Sequence, residues 1–131
     1  MAKRTVVNSK RVTPLRSALS HAVKVGDMVY VSGATPFRGA REIAAEDFAA
    51  QCHQVMHNLQ TVLEECGTSL AHAVKMNVAL RRMTDYAAFD RIFRTYFTEG
   101  NFPARQTTES PNLAFPDFLL SVDCIACCPE E

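Results

Sequence analysis

No stretch of the chain approaches the ~18–20 consecutive apolar residues that a membrane-spanning helix requires, and no apolar segment follows Met1 as it would in a secretory leader. Net charge is also absent: 14 Lys and Arg are balanced by 14 Asp and Glu among 131 residues. A nucleic-acid binder usually carries a clear basic excess, so this balance argues against one. There is no internal repeat, low-complexity tract or long linker, and neither G-x-G-x-x-G nor a P-loop occurs to cradle a phosphate. What is present is 47% apolar and 21% charged residues, a composition that excludes wholesale disorder. The length suits one domain, spanning 1–131, with one sizeable core.

One local absence stands out. No acid precedes Asp27, while Lys3, Arg4, Lys10, Arg11 and Arg16 are all basic. An organellar transit peptide has this bias. The globular pattern begins too early to leave a removable leader, however, so a solvated segment with a short strand around Val6 and Val7 is the better account. The five cysteines are Cys52, Cys66, Cys124, Cys127 and Cys128. An odd count with no secretory leader points to reduced thiols and a cytoplasmic location. Cys124 to Cys128 contains one C-x-x-C and no second pair, whereas a zinc site needs about four converging ligands. On a strand, Cys124 and Cys127 face opposite ways, so buried small side chains are expected rather than a metal site.

Hydrophobic spacing supplies the elements. Ser20–Val25 and Met28–Ser32 flank Gly26-Asp27 as a tight hairpin, and Gly33 to Ala40 reads as a loop. Glu46 to Cys66 carries Phe48, Cys52, Val55, Met56, Leu59, Val62, Leu63 and Cys66 at three- and four-residue steps, one apolar helical stripe. Glu46 and Asp47 suit its first turn and Gly67 its C′ position. Val74–Leu80 alternates as a strand, with Val74, Met76, Val78 and Leu80 on one face. A second helix is predicted from about Asp85 to Phe97, with Tyr86, Phe89, Ile92, Phe93, Tyr96 and Phe97 on its buried side. Gln106 to Ser110 is compatible with extended chain. The last strand places Phe118, Leu120, Val122, Cys124, Ala126 and Cys128 on one face and Ser121 and Asp123 on the other. Two helices on one face of a mixed sheet make a two-layer α/β domain. Its second sheet face must meet water or another copy of the chain.

Few residues suggest chemistry by themselves. His53 and His57 have the i, i+4 spacing of paired zinc ligands, but the H-E-x-x-H glutamate is missing and both fall off the apolar stripe, as on a solvated face. His21 and His72 are isolated, and neither a serine triad nor a cysteine–histidine pair can be assembled. Arg105 follows Phe102-Pro103-Ala104. A guanidinium fixed there on the uncovered sheet face would suit bidentate capture of a small carboxylate, with a salt bridge as the plainer alternative.

Several stretches together resemble the YjgF/RidA family of reactive-intermediate deaminases. They are Ala22 to Asp27, Val31 to Pro36, Gln54 to Gly67, Asp85 to Phe89, Tyr96-Phe97 and Phe102 to Arg105. The resemblance covers roughly residues 17 to 126. It implies a chorismate-mutase-like subunit in a homotrimer whose sheets form a central barrel, with ligand clefts between subunits. Family members hydrolyse enamine and imine acids such as 2-aminoacrylate to 2-oxo acids and ammonia, without a cofactor. By resemblance, Arg105 holds the substrate carboxylate, Ser32 and Gly33 place a hydroxyl and a backbone N–H near it, and Thr107 lines the cleft. Glu109 also matches, with a structural ion pair as its expected role.

The departures are specific. Ser121 stands where the deaminases carry a glutamate thought to hold the attacking water. Serine can orient water by hydrogen bonds but cannot act as a base near pH 7. Asp123, two residues along the same strand face, is ~7 Å away by strand rise. Leu19 aligns with a tyrosine at the cleft mouth, and Asp90 with an asparagine on the second helix. The leading expectation is a cofactor-independent enamine/imine deaminase, with Ser121 and Asp123 orienting water. A trimer that binds small carboxylates without turnover is the main alternative, and an endoribonuclease, an activity attached to some members, is disfavoured by the zero net charge.

Overall fold

The structure is a computed structural model describing residues 3–130. Six strands form one sheet: β1 (Arg4–Val7), β2 (Ala22–Val25), β3 (Met28–Ala34), β4 (Ala73–Leu80), β5 (Ala104–Glu109) and β6 (Leu120–Cys127). Helix α1 (Phe48–Glu65) lies between β3 and β4, and α2 (Tyr86–Arg94) between β4 and β5. The spatial order is β1-β2-β3-β6-β4-β5. Among the described residues only the β4–β5 pairing is parallel, so the sheet is mixed as expected.

The β2–β3 hairpin turns at Gly26 and Asp27 because Gly26 takes φ +57°, which a glycine adopts without a Cβ clash. Helix α1 starts two residues later than its pattern suggests. Glu46 has φ 58°, outside the helical region, and Asp47 is the cap, accepting the Ala50 N–H at 3.0 Å. At the other end Gly67 takes φ +87°, and the amides of Gly67 and Thr68 donate to Glu64 and Leu63 carbonyls, each at 3.0 Å. This Schellman closure satisfies carbonyls that would otherwise be orphaned.

Both helices cover one sheet face. Val55, Met56, Leu59 and Leu63 of α1 and Phe89 and Phe93 of α2 are buried against Val29, Met76, Val78, Leu120, Val122 and Cys124. Burying one such side chain contributes about 1.5–3 kcal/mol. The basic leading segment is tied to this layer rather than merely solvated: Arg11 pairs with Glu64 and Glu65, each at 3.3 Å, and the buried Ser9 hydroxyl donates to Glu65. Cys52 and Cys124 lie in the core, where burial pushes their thiols up to about 12.

Four element details differ from the sequence pattern. Strand β3 continues through Gly33 to Ala34, with a bulge between Val31 and Ala34. A register shift between Ala73 and Lys75 turns Val74 outward, leaving it 45% exposed. Helix α2 ends at Arg94, with Tyr96 and Phe97 in the following turns, and Tyr86 is 40% exposed rather than buried. Phe118 is buried but precedes β6, and Cys128 follows that strand.

Candidate functional site

Strand register decides where Arg105 points. Arg105 and Thr107 of β5 pair with Met76 and Val78 of β4, which are buried under the helices. Paired residues share a face, so Arg105 lies on the helix-covered side and not on the uncovered face expected from the sequence. The sequence does not reveal that β5 joins the sheet edge parallel to β4, and that pairing fixes the face.

Arg105 is closely held. Its side chain is 17% exposed, Nη1 lies 3.0 Å from Asp90 Oδ1, and Nη2 donates to the Tyr86 hydroxyl at 2.8 Å. The guanidinium carbon is 5.0 Å from the Phe93 ring centre and 5.3 Å from that of Phe89, positions favourable to a cation over aromatic faces. Asp90 is also 3.6 Å from Arg94, which in turn pairs with Glu99 at 2.8 Å. Asp90, Phe93, Arg94, Phe102, Pro103 and Arg105 line an open groove at this edge. Two residues along β5, outside this groove, the Thr107 hydroxyl is buried and has no hydrogen-bond partner among the described residues, so Thr107 does not line the cleft as the sequence suggests.

The other candidates lie elsewhere. Ser121 and Asp123 of β6 pair with Ala79 and Asn77, so both occupy the uncovered face, opposite Arg105. Asp123 Oδ1 accepts the Asn77 N–H at 3.1 Å. Gly33 lies directly against Ser121: a Cβ on Gly33 would come within 2.8 Å of the serine hydroxyl oxygen. Leu19, Gly33, Phe37, Arg41, Phe118 and Ser121 belong to a second groove. Ser32 borders the neighbouring cavity, and its hydroxyl donates to the Ser20 carbonyl at 2.6 Å. Its oxygen can still accept a hydrogen bond. One chain therefore brings Arg105 and Asp90 together, with Thr107 buried on the same strand face, and separately Leu19, Gly33 and Ser121, without joining the two groups.

The rims of the second groove are held by residues that sequence inspection does not single out. Gln51, 1% exposed, donates to the Ala44 and Asp117 carbonyls and accepts the Leu119 N–H. Asn58 donates to the Thr35 and Phe37 carbonyls. Arg81 donates to three carbonyls of one loop, those of Pro111, Phe115 and Phe118. A polar residue interrupting the buried side of α1 is the one available signal for Gln51; Arg81 offers none. Glu109 accepts the Met83 N–H at 2.8 Å and is absent from the ion pairs among the described residues, so its expected ion pair is replaced by a backbone contact. His53 Nδ1 lies 2.6 Å from the Tyr96 hydroxyl on an exposed helix face. Among the described residues no three His, Cys, Asp or Glu side chains converge as metal ligands would.

Comparison with known proteins agrees with this architecture. The family model described as endoribonuclease L-PSP matches residues 10–128. A RutC family protein of Pyrococcus abyssi is 34% identical over 127 residues, covering 96% of this chain and 98% of its own. A 2-iminobutanoate/2-iminopropanoate deaminase of Salmonella typhimurium is 32% identical over 106 residues, covering 79% of this chain and 82% of its own. The crystal structure of RidA from the Antarctic bacterium Psychrobacter sp. superposes with a TM-score of 0.87 at 30% identity, covering 94% of this chain and 98% of that one. Matched along nearly its whole length in both sequence and fold, the chain belongs to the endoribonuclease L-PSP family, that of the YjgF, RutC and RidA proteins.

Proposed function

We propose that the chain is a cofactor-independent hydrolytic deaminase of small enamine and imine carboxylic acids, acting as a homotrimer with its clefts between copies. The observation that carries this reading is the division of the candidate site. Arg105 is fixed at one sheet edge, and the Ser121–Gly33 groove lies on the opposite face. Setting the β5 edge of one copy against the groove of the next joins the two halves and covers the bare sheet face. The Salmonella relative's name supports the chemistry, and the five free cysteines support a reducing, cytoplasmic setting.

In this reading Arg105 binds the substrate carboxylate through the guanidinium edge left free by Asp90 and Tyr86. Ser32 offers a hydroxyl oxygen beside the cleft, Leu19 closes its mouth, and the Gly33 amide faces the ligand, while Thr107, its hydroxyl buried, backs the arginine strand without reaching the cleft. The enamine takes a proton at its terminal carbon and becomes the imine. Water oriented by Ser121, with Asp123 behind it, adds to the imine carbon. The resulting carbinolamine expels ammonia and leaves the 2-oxo acid. Because serine is no base at neutral pH, the site acts chiefly by positioning water and substrate, and well-oriented groups alone lower barriers substantially.

The test is ammonia release from 2-aminoacrylate generated in situ. The wild type should exceed buffer, and Arg105→Ala should lose most of that excess; equal rates in wild type, variant and buffer exclude the activity. Ser121 and the Asp90–Arg105 pair favour one second reading, carboxylate binding without turnover. A gain of deaminase activity in Ser121→Glu, from a wild type that binds but does not turn over, would identify that case.

A further inference from the structure

We propose that Arg41 is a second anion-binding residue of the Ser121 groove, selecting ligands whose apolar body ends in a further carboxylate. This deepens the deaminase reading, since it assigns a substrate class to the same site. The argument rests on charge, aromatic surface and an unmatched donor.

The groove containing Ser121 is lined by two arginines, Arg16 and Arg41, and by no acid. At the β5 edge Arg105 is compensated by Asp90 and Arg94 by Glu99, whereas Arg16, like Arg41, takes part in no ion pair among the described residues. The Arg41 Nε is buried and has no hydrogen-bond partner among the described residues. A buried donor left unmatched costs about 1–3 kcal/mol. An oxyanion drawn to the guanidinium supplies the missing acceptor.

The ring faces beside Arg41 define the rest of the ligand. Its guanidinium carbon lies 5.2 Å from the Phe37 ring centre and 5.4 Å from that of Phe115. Phe37, Phe115 and Phe118 pack on one another with ring centres 4.9–5.2 Å apart. Phe118 and Phe37 are 1% and 9% exposed, while Phe115 remains 39% exposed and available to a ligand. Ser121 at one end, an aromatic wall along the side and an uncompensated cation suit an unsaturated or aliphatic chain bearing its second charge far from the reacting carbon.

Two probes of equal chain length isolate that charge: 2-oxohexanoate and 2-oxoadipate, titrated calorimetrically into the assembled wild-type protein. The dicarboxylate should bind about tenfold tighter, the gain of one charge-assisted contact. Arg41→Gln should abolish this preference, with a wild-type circular dichroism spectrum and melting temperature showing that the variant is folded. Arg41→Lys should retain part of the preference. Equal wild-type affinities, or a preference that survives Arg41→Gln, overturn the proposal, and binding of neither acid overturns it together with the deaminase reading. Arg105→Ala should weaken both probes alike. If it leaves both unchanged while Arg41→Gln removes the preference, the Arg41 proposal stands and the assigned role of Arg105 fails.

Discussion

Asp90 Oδ1 lies 3.0 Å from Arg105 Nη1 and holds the guanidinium against the face of Phe93. The cation offered to a substrate is therefore partly neutralised before any substrate arrives. Asp90→Asn should preserve the hydrogen bond and remove the competing charge. The dissociation constant for 2-oxobutanoate should fall about fivefold, corresponding to ~1 kcal/mol for a partly solvated pair. Weaker binding in calorimetry would instead make Asp90 essential for orienting Arg105.

Gly33 is required for space rather than for backbone freedom, because its Cβ position is 2.8 Å from Ser121 Oγ. Gly33→Ala should displace the serine hydroxyl, with a stability loss of about 1 kcal/mol or less since a rotamer change relieves the contact. Ammonia release should drop much more than urea stability. Adding Ser121→Ala should recover the lost stability but not the activity.

Gln51 satisfies three backbone groups from inside the core. Gln51→Leu, similar in volume, leaves all three unmatched and should cost about 3 kcal/mol in urea unfolding. Binding of 2-oxo acids should weaken as well, since the chain at Asp117 and Leu119 flanks Phe118 in the groove. Near-wild-type stability would show that water replaces the side chain.

Cys52 and Cys124 carry thiols raised from about 9 to about 12 by burial. The folded protein keeps both protons over that interval while the unfolded chain releases them. Stability is thus unaffected below pH 9 and falls as pH rises toward 12, by up to ~1.4 kcal/mol per pH unit for each thiol. Melting temperatures from pH 8 to 11 should decline less steeply in Cys124→Ala than in wild type.

The apolar stripe from Cys52 to Cys66 and the alternation from Leu120 to Ala126 made α1 and β6 legible, because burial on one face leaves its period in the sequence. Gly26 and Gly67 likewise marked turns whose backbone needs a glycine. Helix α1 begins after its pattern does because Glu46 adopts a positive φ that its residue type does not announce. Val74 faces away from Met76, Val78 and Leu80 because one bulge reverses the alternation. The same limit governed the candidate site. Proline beside Arg105 suggested a fixed cation, but its face depends on a strand partner distant in sequence. Gln51, Asn58 and Arg81 act through backbone carbonyls, which every residue possesses, so no side-chain pattern pairs with them.

That Arg105 and Ser121 occupy opposite faces of one sheet has a genetic consequence under the proposed assembly. A copy lacking Arg105 still contributes an intact Ser121 surface, and a copy lacking Ser121 still contributes an intact arginine edge. Two alleles, each inactive alone, then complement one another by forming a whole cleft wherever the sound halves adjoin. Selection at this site acts on the junction between neighbours, so dominance and dosage follow from which surface a substitution damages.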